Sequence, residues 1–307
     1  MNNETILMSE EKIINRTLAE FLKDLWLLMK PELTLLSVFT SLGSAYLAIK
    51  TPDASQLIIF PLLALGTLLV GGGSGALNQY FERDFDLLMK RTQRRPIPDK
   101  RIMPAEALIF GITVSLIGTG LLLIINWLTA LLALSTLITY LFLYTPLKRI
   151  STMATIIGAI PGALPTLIGW AAIQNSLSSQ SLTIFAILFY WQLPHFYSIG
   201  WLYRTDYLNA GFRLLTNLDS KGGKVSRQIL VNQIILIGVS VSPAMVGLVS
   251  MEYIPLAIII GILFLLFGLK FTRSIKDDSS ESAARVLFFV SLFYLPIIFS
   301  AMIIFKI

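Results

Sequence analysis

Asn78, Glu82 and Asp86 recur every four residues at the end of a long apolar run, so on a helix their side chains stack along one strip. Three oxygen donors in a row suit a hard cation such as Mg²⁺, which takes few protein carboxylates and fills its shell with water and substrate phosphate. The run Lys90-Arg91-Thr92-Gln93-Arg94-Arg95-Pro96 follows, and its cations can neutralise phosphate oxygens. The two features together point to a magnesium–diphosphate site at a membrane boundary, with Asn78, Glu82 and Asp86 as ligands. Asp84 lies off the strip and reads as a partner for Arg83 or Arg95. The plainer alternative is that the acids pair with neighbours such as Arg83 and that the basic residues only set membrane topology.

The elements that must position these residues are read from composition. The 307-residue chain is 55% hydrophobic and 14% charged, with a mean hydropathy of +0.75, too apolar for a soluble protein. Runs near 31–49, 56–82, 104–125, 127–145, 153–173, 182–204, 227–250, 253–272 and 284–305 have the length of about 20 residues that crosses a bilayer. Placing the N-terminus in the cytoplasm puts all of the 24 Lys and Arg residues there except Lys50 and Lys306, as the positive-inside rule requires. That segregation also explains the net charge of +6 without nucleic acid. The turn near Met251 is the least certain boundary. Residues 1–25 form a cytoplasmic amphipathic segment, with Ser9 to Trp26 as an interfacial helix, and 26–307 one nine-helix domain. No cleavable signal peptide is expected, because the first strongly apolar run starts late and is long; nor does an Arg-rich, acid-poor leader argue for mitochondrial import. Cysteine is absent, which excludes disulfides, thiolate ligands and cysteine nucleophiles.

This topology brings three loops to one face. The loop at 83–103 is joined by 205–226, where Asp206 offers a second metal position, and by Tyr144-Thr145-Pro146-Leu147-Lys148-Arg149, where Lys148 and Arg149 add charge at a helix end. Lys90, Arg91, Arg94, Lys148 and Arg149 are therefore the candidate diphosphate-binding residues. His195 is the only histidine, three helical turns before Asp206 and on nearly the same face if the helix resumes after Pro194. It reads either as a substrate-contacting, metal-ligating or proton-handling residue or as a polar group satisfying backbone freed by the proline. The run Gly71-Gly72-Gly73-Ser74-Gly75 lies inside an apolar span and reads as a close-packing surface rather than a phosphate loop.

The patterns N-x-x-x-E-x-x-x-D with K-R-T-x-x-R-P, then Y-T-P-L-K-R, W-Q-L-P-H-F and D-Y-x-x-A-G, resemble the UbiA superfamily of intramembrane prenyltransferases, and within it the haem-farnesylating branch. The similarity extends from about Trp26 to the last helix. Glu82 departs from the aspartate more usual there, and only Asp206 is acidic between residues 195 and 218, where many members carry a second D-x-x-x-D. The resemblance implies an all-α, nine-helix prenyltransferase bundle using Mg²⁺, with Asn78, Glu82, Asp86, Asp206 and His195 catalytic. The reaction it implies moves a farnesyl group from farnesyl diphosphate to a vinyl group of haem b, with water addition, giving haem O. Implied partners are the two substrates, the lipid bilayer of a cell inner membrane, and haem A synthase or terminal oxidase assembly. A quinone-precursor or other aromatic acceptor, or a transporter, stand as alternatives. A CDP-alcohol phosphotransferase is disfavoured because D-G-x-x-A-R is missing.

Overall fold

The computed structural model describes residues 16–51, 53–277 and 279–307; most of the expected segment before residue 16 lies outside them. Helix α1 (Leu18–Leu28) starts at a capping box in which Thr17 and Glu20 satisfy each other's backbone amides. Where the sequence predicts an interfacial helix over Ser9 to Trp26, the described helix begins only after the Thr17 cap and runs on to Leu28, burying Asp24 and Leu28 while Leu18 and Leu22 stay exposed. A bend of 57° separates it from α2 (Pro31–Ala48). Lys30 at the bend is left-handed, with φ 50° and ψ 62°, a conformation a side-chain-bearing residue adopts only when its surroundings hold it.

After a 3₁₀ turn at Ala54–Ile58 come α3 (Ile59–Asp86), α4 (Pro104–Ile125) and α5 (Trp127–Ile138). A π-helical turn (Thr139–Tyr144) then leads into α6 (Thr145–Ile150). Pro146 has no N–H for the preceding turn, and the local register widens there. Helices α7 (Ala154–Gln174) and α8 (Ser179–Leu202) cross the bundle, and short α9 (Arg204–Asn209) and α10 (Leu215–Leu218) form the second loop. Helices α11 (Gly223–Met245), α12 (Tyr253–Ser274) and α13 (Ser280–Ile304) complete it. Among the described residues there is no strand, only an isolated antiparallel bridge between Val249 and Lys306.

Eight of these segments are long and apolar enough to span a membrane by themselves; α2 joins them as a ninth only through its bent pairing with α1. Several expected boundaries move by three or four residues: α3 runs on to Asp86 rather than ending at 82, and α8, α11 and α13 start earlier, at Ser179, Gly223 and Ser280. Helix α11 ends at Met245 rather than near 250, because Gly247 takes φ +66° and the Leu248 amide turns back to the Pro243 carbonyl at 2.9 Å. The glycine run packs helices, as its setting suggested: a side chain on Gly73 would meet Ser115 and the Gly111 carbonyl on α4, and one on Gly75 would meet the Leu28 and Met29 carbonyls at the bend. Helix α3 is thereby held against α4 on one side and the α1–α2 bend on another. Bulky residues such as Leu116, Ile124, Phe142 and Phe293 face outward, as lipid-facing surfaces do.

Candidate active site

The last turns of α3 carry the strip, and all three of its side chains are buried. Each meets a cation from a different element. Lys30 Nζ, aimed by the left-handed bend, donates to Asn78 Oδ1 at 2.5 Å. Lys148 Nζ on α6 stands 2.5 Å from Glu82 Oε1. Arg95 Nη1 lies 2.8 Å from both oxygens of Asp86. A charge buried at a membrane boundary is costly unless compensated, and this ladder compensates both carboxylates.

Neighbouring groups fix the rungs. Asn78 Nδ2 donates to Thr145 Oγ1 at 3.2 Å, and Thr145 Oγ1 donates to the Tyr140 carbonyl at 2.9 Å, which ties the strip to the π turn. Gln79, next on α3, donates to the Leu27 and Leu28 carbonyls at 3.2 and 3.1 Å and pins the α1 end. The Thr92 hydroxyl donates to the Asp86 carbonyl at 2.8 Å and folds the loop back over the helix end. Arg101 pairs with Asp24 on α1 and donates to the Arg94 carbonyl at 2.9 Å. Arg16 pairs with Glu106 at the start of α4. The 87–103 loop is thus clamped on both flanks.

The second loop covers the first. Met89, Ala210 and Phe212 pack together with Phe85 and Tyr207, the Arg213 amide donates to the Lys148 carbonyl at 2.8 Å, and Arg91 Nη2 donates to the Tyr207 hydroxyl at 3.1 Å. The Arg149 guanidinium lies 3.5 Å over the Phe85 ring. Of the five predicted diphosphate cations, Lys148 is in the ladder and Arg91 and Arg149 stand beside it on aromatic partners. Lys90 and Arg94 point outward, exposed. Asp206 is half-buried on α9, and among the described residues no three His, Cys, Asp or Glu residues form a metal-holding group. It does not gather with Glu82 and Asp86 as a third acid.

The expected alignment of His195 with Asp206 fails for a local reason. Helix α8 runs unbroken through Pro194 but stops at Leu202, where Tyr203 adopts φ −110° and ψ 22° and the chain restarts as α9. His195 instead lines a cavity of ≈ 240 Å³ that also reaches Lys30, Thr34, Tyr140, Tyr144 and Trp191. Its Nδ1 is 2.8 Å from Ser291 Oγ, and that hydroxyl donates its own hydrogen to the Phe288 carbonyl at 2.5 Å. The tautomer with Nδ1–H donating to Ser291 Oγ satisfies both contacts and leaves the lone pair on Nε2. The ring is held between Trp191, stacked at 5.1 Å, and Phe288 at 4.9 Å. His195 is thus oriented by a side chain, not spent on backbone freed by Pro194.

Sequence reasoning missed Lys30, and it placed Arg95 in the phosphate-neutralising basic run and beside Asp84 rather than opposite Asp86. Lys30 carries one weak signal, a cation directly before the proline that opens a span, and the positive-inside rule produces the same pattern. Arg83, the neighbour offered as a pairing partner for the strip, lies 3.9 Å from exposed Asp84 instead.

Comparison with known proteins places the chain in a family. Residues 36–293 match the model of the UbiA prenyltransferase family. Protoheme IX farnesyltransferase of Solibacter usitatus is 41% identical over 285 residues, 90% of this chain and 96% of that protein. The protein of that name from Koribacter versatilis is 38% identical, covering 92% of this chain and 93% of its own length. Among solved structures, a UbiA homolog from Aeropyrum pernix K1 superposes with a TM-score of 0.69 at 18% identity, over 89% of this chain and 97% of that one. A UbiA homolog from Archaeoglobus fulgidus bound to GPP and Mg²⁺ gives 0.63 at 14% identity, over 91% and 99%. With its bundle of spanning helices and a family match across most of its length, this chain belongs to the UbiA prenyltransferase family.

Proposed function

We propose that this protein transfers a farnesyl group from farnesyl diphosphate to a vinyl group of haem b, forming haem O at the membrane. The observation that carries the reading is the ladder of Asn78, Glu82 and Asp86 with Lys30, Lys148 and Arg95, opening beside a cavity that contains His195. The relatives named protoheme IX farnesyltransferase support haem as the acceptor.

Two carboxylates and an amide on one strip suit Mg²⁺, because this ion needs few protein ligands and takes the remainder from diphosphate and water; Asp206 is proposed as an outer acid on the covering loop. When bound, Mg²⁺ would stabilise the charge that builds on the departing diphosphate. The chain's own residues do the rest. Lys30, Lys148 and Arg95 already face oxygens, and these same groups would hold phosphate oxygens. Arg91 and Arg149 add charge at the edge. As the allylic C1–O bond breaks, diphosphate leaves with the electron pair, and the C1 cation is attacked by the vinyl π electrons of haem. Water then adds to the resulting cation and loses a proton.

Water must be kept away until that last step. The Met89, Ala210 and Phe212 cluster roofs the site, and Tyr140, Tyr144 and Trp191 wall the cavity. His195 offers a free Nε2 lone pair fixed by Ser291, suited to hold the haem iron or accept the proton. The charge segregation supports loops on the cytoplasmic side of a bacterial inner membrane, where haem A synthase or an oxidase-assembly partner would take the product. The test is incubation of detergent-purified protein with haem b, farnesyl diphosphate and Mg²⁺, with pigments weighed by mass spectrometry. A haem O mass is expected. Diphosphate release with no haem adduct would refute haem as acceptor and favour an aromatic one.

A further inference from the structure

On the side of the bundle built from α11 and α12 lies a second groove, at the same end as the ladder. Its lining includes Lys221, Arg227 and Lys276, all exposed, with half-buried Leu230 and outward-facing Ile234 as its apolar side. No ion pair engages these three cations among the described residues, and two of the neighbouring acids are engaged elsewhere. Asp219 caps α11 by accepting from the Lys224 and Val225 amides at 2.7 and 2.9 Å, and Glu281 pairs with Arg204 at 3.2 Å. Asp277, beside Lys276, is also exposed. Inside the groove Ser226 is 4% exposed, and its Oγ has no hydrogen-bond partner. A buried hydroxyl without a partner is disfavoured, and a groove that places one beneath three unpaired cations is built for an oxygen-rich anion.

We infer that this groove binds the headgroup of an anionic phospholipid, with its phosphate between Lys221, Arg227 and Lys276, in reach of the Ser226 hydroxyl, and one acyl chain along Leu230 and Ile234. The charge is complementary, and the apolar side of the groove runs in the direction of the membrane interior, which a soluble phosphate ester would not use. Basic pockets between spanning helices recognise such headgroups. Topology alone would scatter cations around the helix ends; it does not explain a cleft with a buried, unpartnered hydroxyl.

The test is native mass spectrometry of the purified full chain with phosphatidylglycerol or phosphatidylcholine in the detergent. Three variants are compared with the parent: Lys221→Gln/Arg227→Gln/Lys276→Gln; a charge-matched control, Lys23→Gln/Lys224→Gln/Lys270→Gln; and Ser226→Ala. Phosphatidylglycerol is expected to be retained preferentially, and the groove triple variant to lose at least about tenfold of that affinity while the control keeps it. Ser226→Ala is expected to weaken retention a few-fold without lowering the melting temperature, since it removes an unsatisfied hydroxyl. Equal losses in the two triple variants would mean a diffuse surface potential and overturn the site. Displacement by inorganic phosphate alone, or equal retention of the zwitterionic lipid, would overturn the lipid assignment.

Discussion

Helices α3 and α8 both descend to the same end of the bundle and both hand over to a loop carrying acid and base, yet they are built to opposite purposes. The end of α3 buries three oxygen-bearing side chains and matches each with a cation drawn from the α1–α2 bend, from α6 and from its own loop. The end of α8 buries none of its charge: it breaks at Tyr203, restarts, and offers half-buried Asp206 among aromatic and apolar residues that sit on the first loop. The difference teaches a division of labour. On the proposed function, one helix end would manage the charge of the leaving group and the other would close over it.

Substitutions can break that contrast, and the largest effects belong to the ladder. Asp86→Ala removes a proposed metal ligand and leaves Arg95 unpaired. Haem O formation should fall by roughly 10²–10³-fold or more, the scale on which aligned electrostatic groups act on a transition state, as read by the pigment-mass assay. Lys148→Met is expected to be nearly as severe and to lower stability as well. It strands the buried Glu82 carboxylate, and breaking a buried pair on one side costs about 3–5 kcal/mol, visible as a lower melting temperature in detergent; the double variant Glu82→Gln/Lys148→Met should recover stability without activity.

Smaller effects sharpen the comparison. Ser291→Ala removes the acceptor that fixes the His195 tautomer, and is expected to lower turnover roughly 10-fold to 100-fold, the usual cost of losing such an orienting partner, with diphosphate binding unchanged; a matching loss of diphosphate affinity would place His195 in the wrong half of the mechanism. Asp206→Asn should cost less than about tenfold, because no partner cation or three-acid group depends on it. Lys90→Gln and Arg94→Gln, both at exposed side chains, should shift KM for the diphosphate by about two-fold or less at physiological salt.

How much of this was legible in the sequence differs between the two ends for a physical reason. The strip at 78, 82 and 86 follows from helical period alone, and the spans follow from hydropathy, so α3 and most of the bundle were readable before any fold was known. Lys148 was found because it lies in a basic turn at a span end. Lys30 was not, because its role comes from a left-handed bend and a contact 48 residues away in sequence. Arg95 and Asp86 face each other only after the Thr92 turn reverses the loop. The alignment of His195 with Asp206 failed because periodicity assumes an unbroken helix, and the break falls at Tyr203 rather than at the proline that invited suspicion. The hydrogen-bond chain through Ser291 that orients His195 joins α8 to α13 and leaves no local sequence signal.

The division between the two ends is tested most directly by the affinity of the full chain for a non-reactive thio analogue of farnesyl diphosphate, measured with and without Mg²⁺. The parent and Asp206→Asn should both bind more tightly with Mg²⁺, while Asp86→Asn should lose the Mg²⁺ dependence. If Asp86→Asn kept the metal effect and Asp206→Asn abolished it, the charge-handling site would lie on the α8 loop and the assignment of the α3 ladder would be wrong.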